Sequence, residues 1–325
     1  MSKSFESKKV NDHQRLQAMR SLALDAALAE IIRLLGPFGV HPLLLKGAGT
    51  ARQLYDHVYE RPYSDIDLLI APEQFATTVS ALGEAGFEPE PSFGDPEDPA
   101  GHHHEVMNRL EPISIAVELH HSLYLLSAPA EQVWKLLSKD ARSIEIAGEQ
   151  VSVPSPPAAA LIVVLHAVQH GVGAATPMAD LAHALERVDP ASWRTASELA
   201  DALDARESFA AGLRLLPSGC ELADQLGLPV DPALPRHFRL RAMTAPYTSF
   251  GVERLVTAEN MTARLKLLLH EACPPPAFMR RWKPVARRGP LGLACAYLWR
   301  PFWLTSKLPG GIRAWRKADR ATRGG

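Results

Sequence analysis

Residues 43–70 read LLLKGAGTARQLYDHVYERPYSDIDLLI. The run predicts a strand over Leu43–Lys46, a turn with Gly47 and Gly49, and a short helix ending near Tyr55. A loop with Arg61 follows, then a second strand over Ser64–Ile70. Side chains two residues apart in a strand share a face, so Asp65 and Asp67 project together, roughly 6–7 Å apart along the chain. Like charges repel, and burying either alone is costly. A divalent cation between the carboxylates resolves that conflict. The neighbouring glycine turn and helix start point to Mg²⁺ held beside a phosphate chain.

The whole chain sets the bounds on that reading. Its 325 residues, 46% hydrophobic and 22% charged, suit a soluble globular protein with room for two cores. Cys220, Cys273 and Cys295 have no paired or metal-like spacing, which favours a reducing cytoplasm. The polar start, MSKSFESKKVNDHQ, lacks the apolar centre of a signal peptide, and no apolar run is long enough for a membrane span. Charge is unevenly placed. Residues 280–325 hold 12 Lys or Arg against one acid, Asp319, although the chain as a whole carries −1. Such a tail is expected to meet something anionic.

Apolar positions at Leu16, Met19, Leu24, Leu28, Ile31 and Leu35 predict a helix over 12–35, with Asp12 as its cap and Gly36-Pro37 as its stop. A helix over Glu73–Ala85 is expected after the 43–70 stretch, then strands over His103–Leu110 and Ile113–His120. In the second of these, Ile113, Ile115 and Val117 alternate with Ser114, Ala116 and Glu118, which sends Glu118 to the opposite face. A helix over Glu131–Leu137 precedes a hairpin around Ala147-Gly148. Beyond Pro154-Ser155-Pro156-Pro157 the pattern is helical: 158–170, 178–187, 190–204, 206–216, 219–226 and 252–271, with Asp189 as a cap. The expected organisation is an α/β (α+β) domain with a mixed sheet over 1–153, an all-helical domain over 154–279, and a basic tail over 280–325. Within the tail, LGLACAYLWRPFWL (291–304) is broken by Arg300-Pro301. With Trp282, Trp299 and Trp303 it suits a membrane interface, or else a packed helix with a solvated basic face.

Three chemistries compete for the 43–70 stretch. A dinucleotide-binding turn is suggested by Gly47-Ala48-Gly49, but Arg52 stands where the third glycine belongs and Asp67 is left without a role. A histidine-based metal hydrolase draws on His102, His103, His104, His120, His121 and the His166/His170 pair, but no HExxH general base accompanies them. The third reading rests on a combination: Leu45-Lys46-Gly47, Arg61, Ser64-Asp65-Ile66-Asp67-Leu68-Leu69, Val117-Glu118-Leu119-His120, His166/His170 and Met178-Ala179-Asp180-Leu181. Over roughly residues 12–190 this order resembles the uncharacterised nucleotidyltransferases of the DNA polymerase β-like superfamily. The phosphate turn departs from the superfamily pattern, having Gly47-Ala48-Gly49-Thr50 in place of Gly-Gly or Gly-Ser.

The resemblance implies Mg²⁺-dependent transfer of a nucleoside monophosphate from an NTP, with ATP foremost, to a hydroxyl on a small molecule or peptide. Asp65, Asp67 and Glu118 would be the catalytic carboxylates holding two Mg²⁺ ions. Lys46, Gly47, Gly49, Thr50 and Arg61 would meet the nucleotide. His104, His120, His170 and Asp180 would stand near the substrate or behind the ligands. The rival classes are a non-catalytic nucleotide-binding protein of the same fold and an RNA-directed enzyme gripping phosphates with its tail. RNA ranks below a small acceptor, because the chain lacks the interleaved aromatics and basics of an RNA-binding sheet. The expected location is cytoplasmic, with a peripheral membrane contact through 280–325 as the tail's alternative.

Overall fold

The computed structural model describes residues 2–90, 104–111, 113–232, 236, 239–240, 243, 245–258 and 260–323, giving backbone alone for 2–16, 277, 281 and 321–323. The acidic loop, His102 and His103 lie outside the described residues. The chain forms two compact units, residues 1–167 with 175–230, and residues 168–174 with 231–325.

The first unit is built on a mixed seven-stranded sheet. Its strands are β1 (Leu43–Leu44), β2 (Ile66–Leu69), β3 (Glu88–Pro89), β4 (His104–Arg109), β5 (Ile115–His120), β6 (Arg142–Ile146) and β7 (Glu149–Val153). They stand in the order β3-β4-β5-β2-β1-β7-β6. β2 and β5 run parallel at the centre, flanked by the antiparallel pairs β1/β2 and β4/β5. Parallel neighbours are buried on both faces, and β2 (IDLL) is buried at all four positions.

Strand alternation divides the apolar residues between two cores. Ile66, Leu68, Val117 and Leu119 face helix α1 (Ser2–Leu35), through Leu24, Leu28 and Ile31, and helix α3 (Phe75–Glu84), through Ala81 and Leu82. Leu43, Leu45 and Leu69 point the other way. They pack against α4 (Ala130–Leu137), α5 (Pro156–His170), α6 (Ala175–Arg187), α7 (Pro190–Ala202), α8 (Arg206–Leu213) and α9 (Pro217–Gln225). Each fully buried leucine contributes about 1.5–3 kcal/mol to this layering. Asp67 shares the parity of Leu69 and Glu118 that of His120, so the polar side chains lie on the face toward the second set of helices.

The hairpin β6/β7 and the Asp189 cap stand where the sequence places them, Asp189 Oδ1 accepting from the amides of Ala191 and Ser192 at 3.0 and 2.9 Å. Three expectations need correcting. Helix α1 begins at Ser2, so Asp12 lies inside it rather than capping it. The helix expected over 252–271 is two, α10 (Tyr247–Thr257) and α11 (Met261–Ala272), because Asn260 turns the chain and caps the second by accepting from Ala263 N at 2.8 Å. The break expected at Arg300-Pro301 does not occur. After α12 (Pro276–Trp282), helix α13 runs from Pro290 to Arg323 straight through Pro301 and Pro309.

Candidate functional site

The site begins with two register positions. Asp67 on β2 is paired with Glu118 on β5 in parallel register, and His120 follows Glu118 by two residues on the same face. One ligand atom each from Asp67, Glu118 and His120 lies within 4.8 Å of the other two. Asp67 and His120 are buried, and Glu118 is half-buried. Asp65, at the mouth of β2, is half-buried and stands outside this group of three.

Lys46 completes the cluster. β1 hands the chain to a turn at Gly47, whose φ of +61° and ψ of −117° suit glycine and no bulkier residue. The turn sends Lys46 Nζ to within 2.8 Å of Asp67 Oδ1. The same oxygen faces His120 Nε2 at 3.1 Å, and that nitrogen lies 3.4 Å from Glu118 Oε2. Two carboxylates facing Nε2 favour the proton there, so His120 donates to Asp67. His104 lies opposite His120 in the β4/β5 register and stacks on it, with ring centroids 5.1 Å apart.

The charges are unequal. Burial pushes the Asp65 carboxyl up to about 6, helped by Asp67 and Glu118. Burial acts on Asp67 in the same direction, but the Lys46 ammonium and the His120 imidazole more than offset it and hold Asp67 well below the usual carboxylate range. Burial likewise works against the charged forms of Lys46 and His120, and the carboxylates prevail, raising both. His104 goes the opposite way, lowered by burial and by His120. Three carboxylates thus face one lysine and one histidine, a surplus of negative charge that a cation would relieve. The oxygen donors of Asp67 and Glu118 suit a hard divalent ion, with Asp65 beside them.

A second polar cluster supports the turn. Arg61 is buried and grips Asp180 on α6 with two parallel bonds, Nε to Oδ1 at 2.8 Å and Nη2 to Oδ2 at 2.7 Å. Its Nη1 donates to the Gly47 carbonyl at 3.4 Å, and Tyr55 donates to Asp180 Oδ1 at 2.7 Å. Behind the turn, Asp25 on α1 accepts from Arg52 at 2.7 Å and from Tyr63 at 2.5 Å. Burial and the adjacent carboxylates push both tyrosine hydroxyls upward, so they stay protonated donors.

Gly49 lies in helix α2 (Ala48–Leu54), where an added Cβ would come within 3.2 Å of Val153 and 3.4 Å of Leu44, so the position needs a small residue for packing. Thr50 is buried in the same helix. His170 is exposed at the end of α5 and belongs to the second compact unit. Sequence reading gave Tyr55, Asp25, Arg52 and Tyr63 no part in the site, since nothing local marks partners 27 to 125 residues apart.

Aligned carboxylates on paired strands beside a glycine turn fit the nucleotidyltransferase class, and it is comparison with known proteins that places the chain there. A family model described as uncharacterised nucleotidyltransferase matches residues 7–218. The chain belongs to that family, and the protein is a nucleotidyltransferase. Among curated proteins, none matches. Among solved structures, the chain is similar to an antigenic nucleotidyltransferase-like protein from Paracoccidioides brasiliensis, at 17% identity and a TM-score of 0.41, over 64% of this chain and 93% of that one. It is also similar to the antibiotic-resistance factor ANT(2'')-Ia, at 16% identity and a TM-score of 0.38, over 58% of this chain and 94% of the other.

Proposed function

We propose that the protein moves a nucleoside monophosphate from an NTP, ATP foremost, to a hydroxyl on a small molecule or peptide, releasing pyrophosphate. The observation that carries this reading is the parallel register of Asp67 and Glu118, with His120 Nε2 and Lys46 Nζ both at Asp67 Oδ1. Mg²⁺ held by Asp67 and Glu118, with Asp65 alongside, would neutralise triphosphate charge and acidify the acceptor hydroxyl.

The protein's own groups do the positioning. Lys46 stands at the carboxylates with its charge maintained, ready to exchange Asp67 for phosphate oxygens as pyrophosphate departs. Glu118, the most open of the cluster at 28% side-chain exposure, takes the acceptor's proton or holds a second ion. His120 fixes the rotamer of Asp67 and serves as a nitrogen ligand when deprotonated. Phosphate contact falls to Lys46 and the Gly47 turn rather than to Thr50, whose side chain is buried. Arg61, committed to Asp180, holds that turn in place. The cysteines Cys220, Cys273 and Cys295 are all free, which supports action in a reducing compartment such as the cytoplasm.

The test is pyrophosphate release from each NTP with Mg²⁺ and a panel of hydroxyl acceptors, comparing the wild type with Asp67→Asn and Glu118→Gln. Release from one NTP, reduced at least ~100-fold in both variants, is the expected result. Nucleotide binding without release by the wild type would favour a non-catalytic nucleotide-binding protein instead.

A further inference from the structure

The second compact unit carries a face of exposed apolar and basic side chains that the proposed reaction does not use. Along α13, Leu291, Leu298, Trp299 and Phe302 recur at helical spacing and are 84%, 72%, 54% and 70% exposed. Further along the same face, Arg313, Arg316 and Arg320 follow at the same spacing and are exposed. Helix α11, packed against α13 within this unit, adds an exposed stripe of Met261, Leu265, Leu268 and Leu269. Monomeric proteins seldom leave apolar side chains contiguous in this way without a partner.

The inner side of the unit holds what would oppose an anionic surface. Asp319, the tail's one acid, pairs with Arg236 at 2.7 Å. Glu253 is bound by Arg236 and by the Trp315 indole, and Glu271 by Arg254 and Arg300. Arg300 is itself buried, its guanidinium packed on the Phe278 and Trp282 rings. Trp282 and Trp303 pack edge to face, leaving Trp299 as the tryptophan that faces outward. Residues 231–325 hold eighteen Lys and Arg against five acids, and those three acids are neutralised internally.

We propose that this face docks on a bilayer containing anionic lipid, with α13 lying in the plane of the interface. Leu298, Trp299 and Phe302 sit among the headgroups and upper acyl chains, and Arg313, Arg316 and Arg320 meet the anionic headgroups. Stable peripheral binding takes two signals, and here an apolar segment and a basic segment share one helix face. No helix among the described residues is long and apolar enough to cross a membrane, consistent with an interfacial helix rather than a spanning one. A nucleic acid is the poorer fit. Exposed Leu291, Leu298, Leu265 and Leu268 give a phosphate backbone nothing to bind, and the aromatics are separated from the arginines instead of interleaved with them.

The experiment is flotation of the full-length chain with vesicles of phosphatidylcholine alone or with added phosphatidylglycerol. Binding to the anionic vesicles, weakening with salt and at least tenfold above the neutral ones, is the expected result. Two variants, Leu298→Glu/Phe302→Glu and Arg313→Glu/Arg316→Glu/Arg320→Glu, should each lose at least tenfold while melting like the wild type, since every changed residue is exposed. If either variant melts early, quenching by brominated lipid decides: wild-type emission should be quenched on anionic vesicles, and the quenching should disappear in Trp299→Phe. No wild-type binding, equal binding to neutral vesicles, or quenching that survives Trp299→Phe overturns the proposal. So does tight binding of a single-stranded oligonucleotide that survives Leu298→Glu/Phe302→Glu while vesicles are ignored.

Discussion

Two basic–acidic pairs flank the Gly47 turn, and they are built to opposite specifications. Arg61 and Asp180 form a closed pair, with side chains 5% and 1% exposed. The carboxylate is matched by a two-pronged guanidinium and a tyrosine hydroxyl, and the spare guanidinium nitrogen reaches a backbone carbonyl. Lys46 and Asp67 form an open pair. Lys46 is 17% exposed, and Glu118 and Asp65 crowd the same pocket with charge that one ammonium cannot balance. A balanced buried pair holds a fold together, whereas a buried pair with surplus charge of one sign needs a visitor of the other. Electrostatic balance, more than burial, separates the brace from the candidate site.

The sharpest way to break the comparison is Asp180→Ala. It leaves Arg61 buried and unmatched, and the expected loss of stability in chemical denaturation is about 3–5 kcal/mol. Asp67→Asn should do the reverse. Lys46 keeps Glu118 and Asp65 nearby and the amide still accepts from His120, so the loss should be clearly smaller, roughly 1–2 kcal/mol. Pyrophosphate release should still fall by at least ~100-fold, equivalent to about 2.7 kcal/mol of transition-state stabilisation. Equal destabilisation by the two substitutions would erase the distinction. Tyr55→Phe removes one neutral donor from Asp180 while the guanidinium stays, and should cost about 1 kcal/mol in the same measurement.

The smallest effect belongs to an exposed pair that serves as a control. Arg109 grips Glu30 at 2.7 Å and holds its carboxyl below the usual value. A depressed carboxyl adds stability above its unfolded pKa and loses it as pH falls through the lower folded value. Glu30 is 51% exposed, so the contribution is on the order of 0.5 kcal/mol. Glu30→Gln should remove that increment at neutral pH and flatten the stability profile on the acid side of ~pH 4.5, measured by denaturation across pH.

What the sequence made legible is what short-range periodicity controls. The i, i+2 spacing of Asp65 and Asp67, the parity of Glu118 against Ile115 and Val117, the β6/β7 hairpin and the Asp189 cap all depend on a few neighbouring residues. The β2/β5 register that aligns Asp67 with Glu118 was not legible, because strand pairing across some fifty residues has no local signature. The grip of Arg61 on Asp180, 119 residues away, was hidden for the same reason. His120 was within reach, since it follows Glu118 by two on the same face, and parity alone could have set it beside Asp67 and Glu118 as a third candidate ligand. Helix α13 continues through Pro301 and Pro309 against the local rule, because packing of its inner face on the rest of its unit outweighs two lost backbone bonds.

The central claim, that the open cluster is a divalent-cation site, is met most directly by calorimetric titration of Mn²⁺ and Mg²⁺ into the wild type and Asp67→Asn. Saturable binding by the wild type, weakened at least tenfold by Asp67→Asn and left intact by Glu30→Gln, is the expected result. Binding indifferent to Asp67→Asn, or no binding at millimolar-scale metal with NTP present, would contradict it.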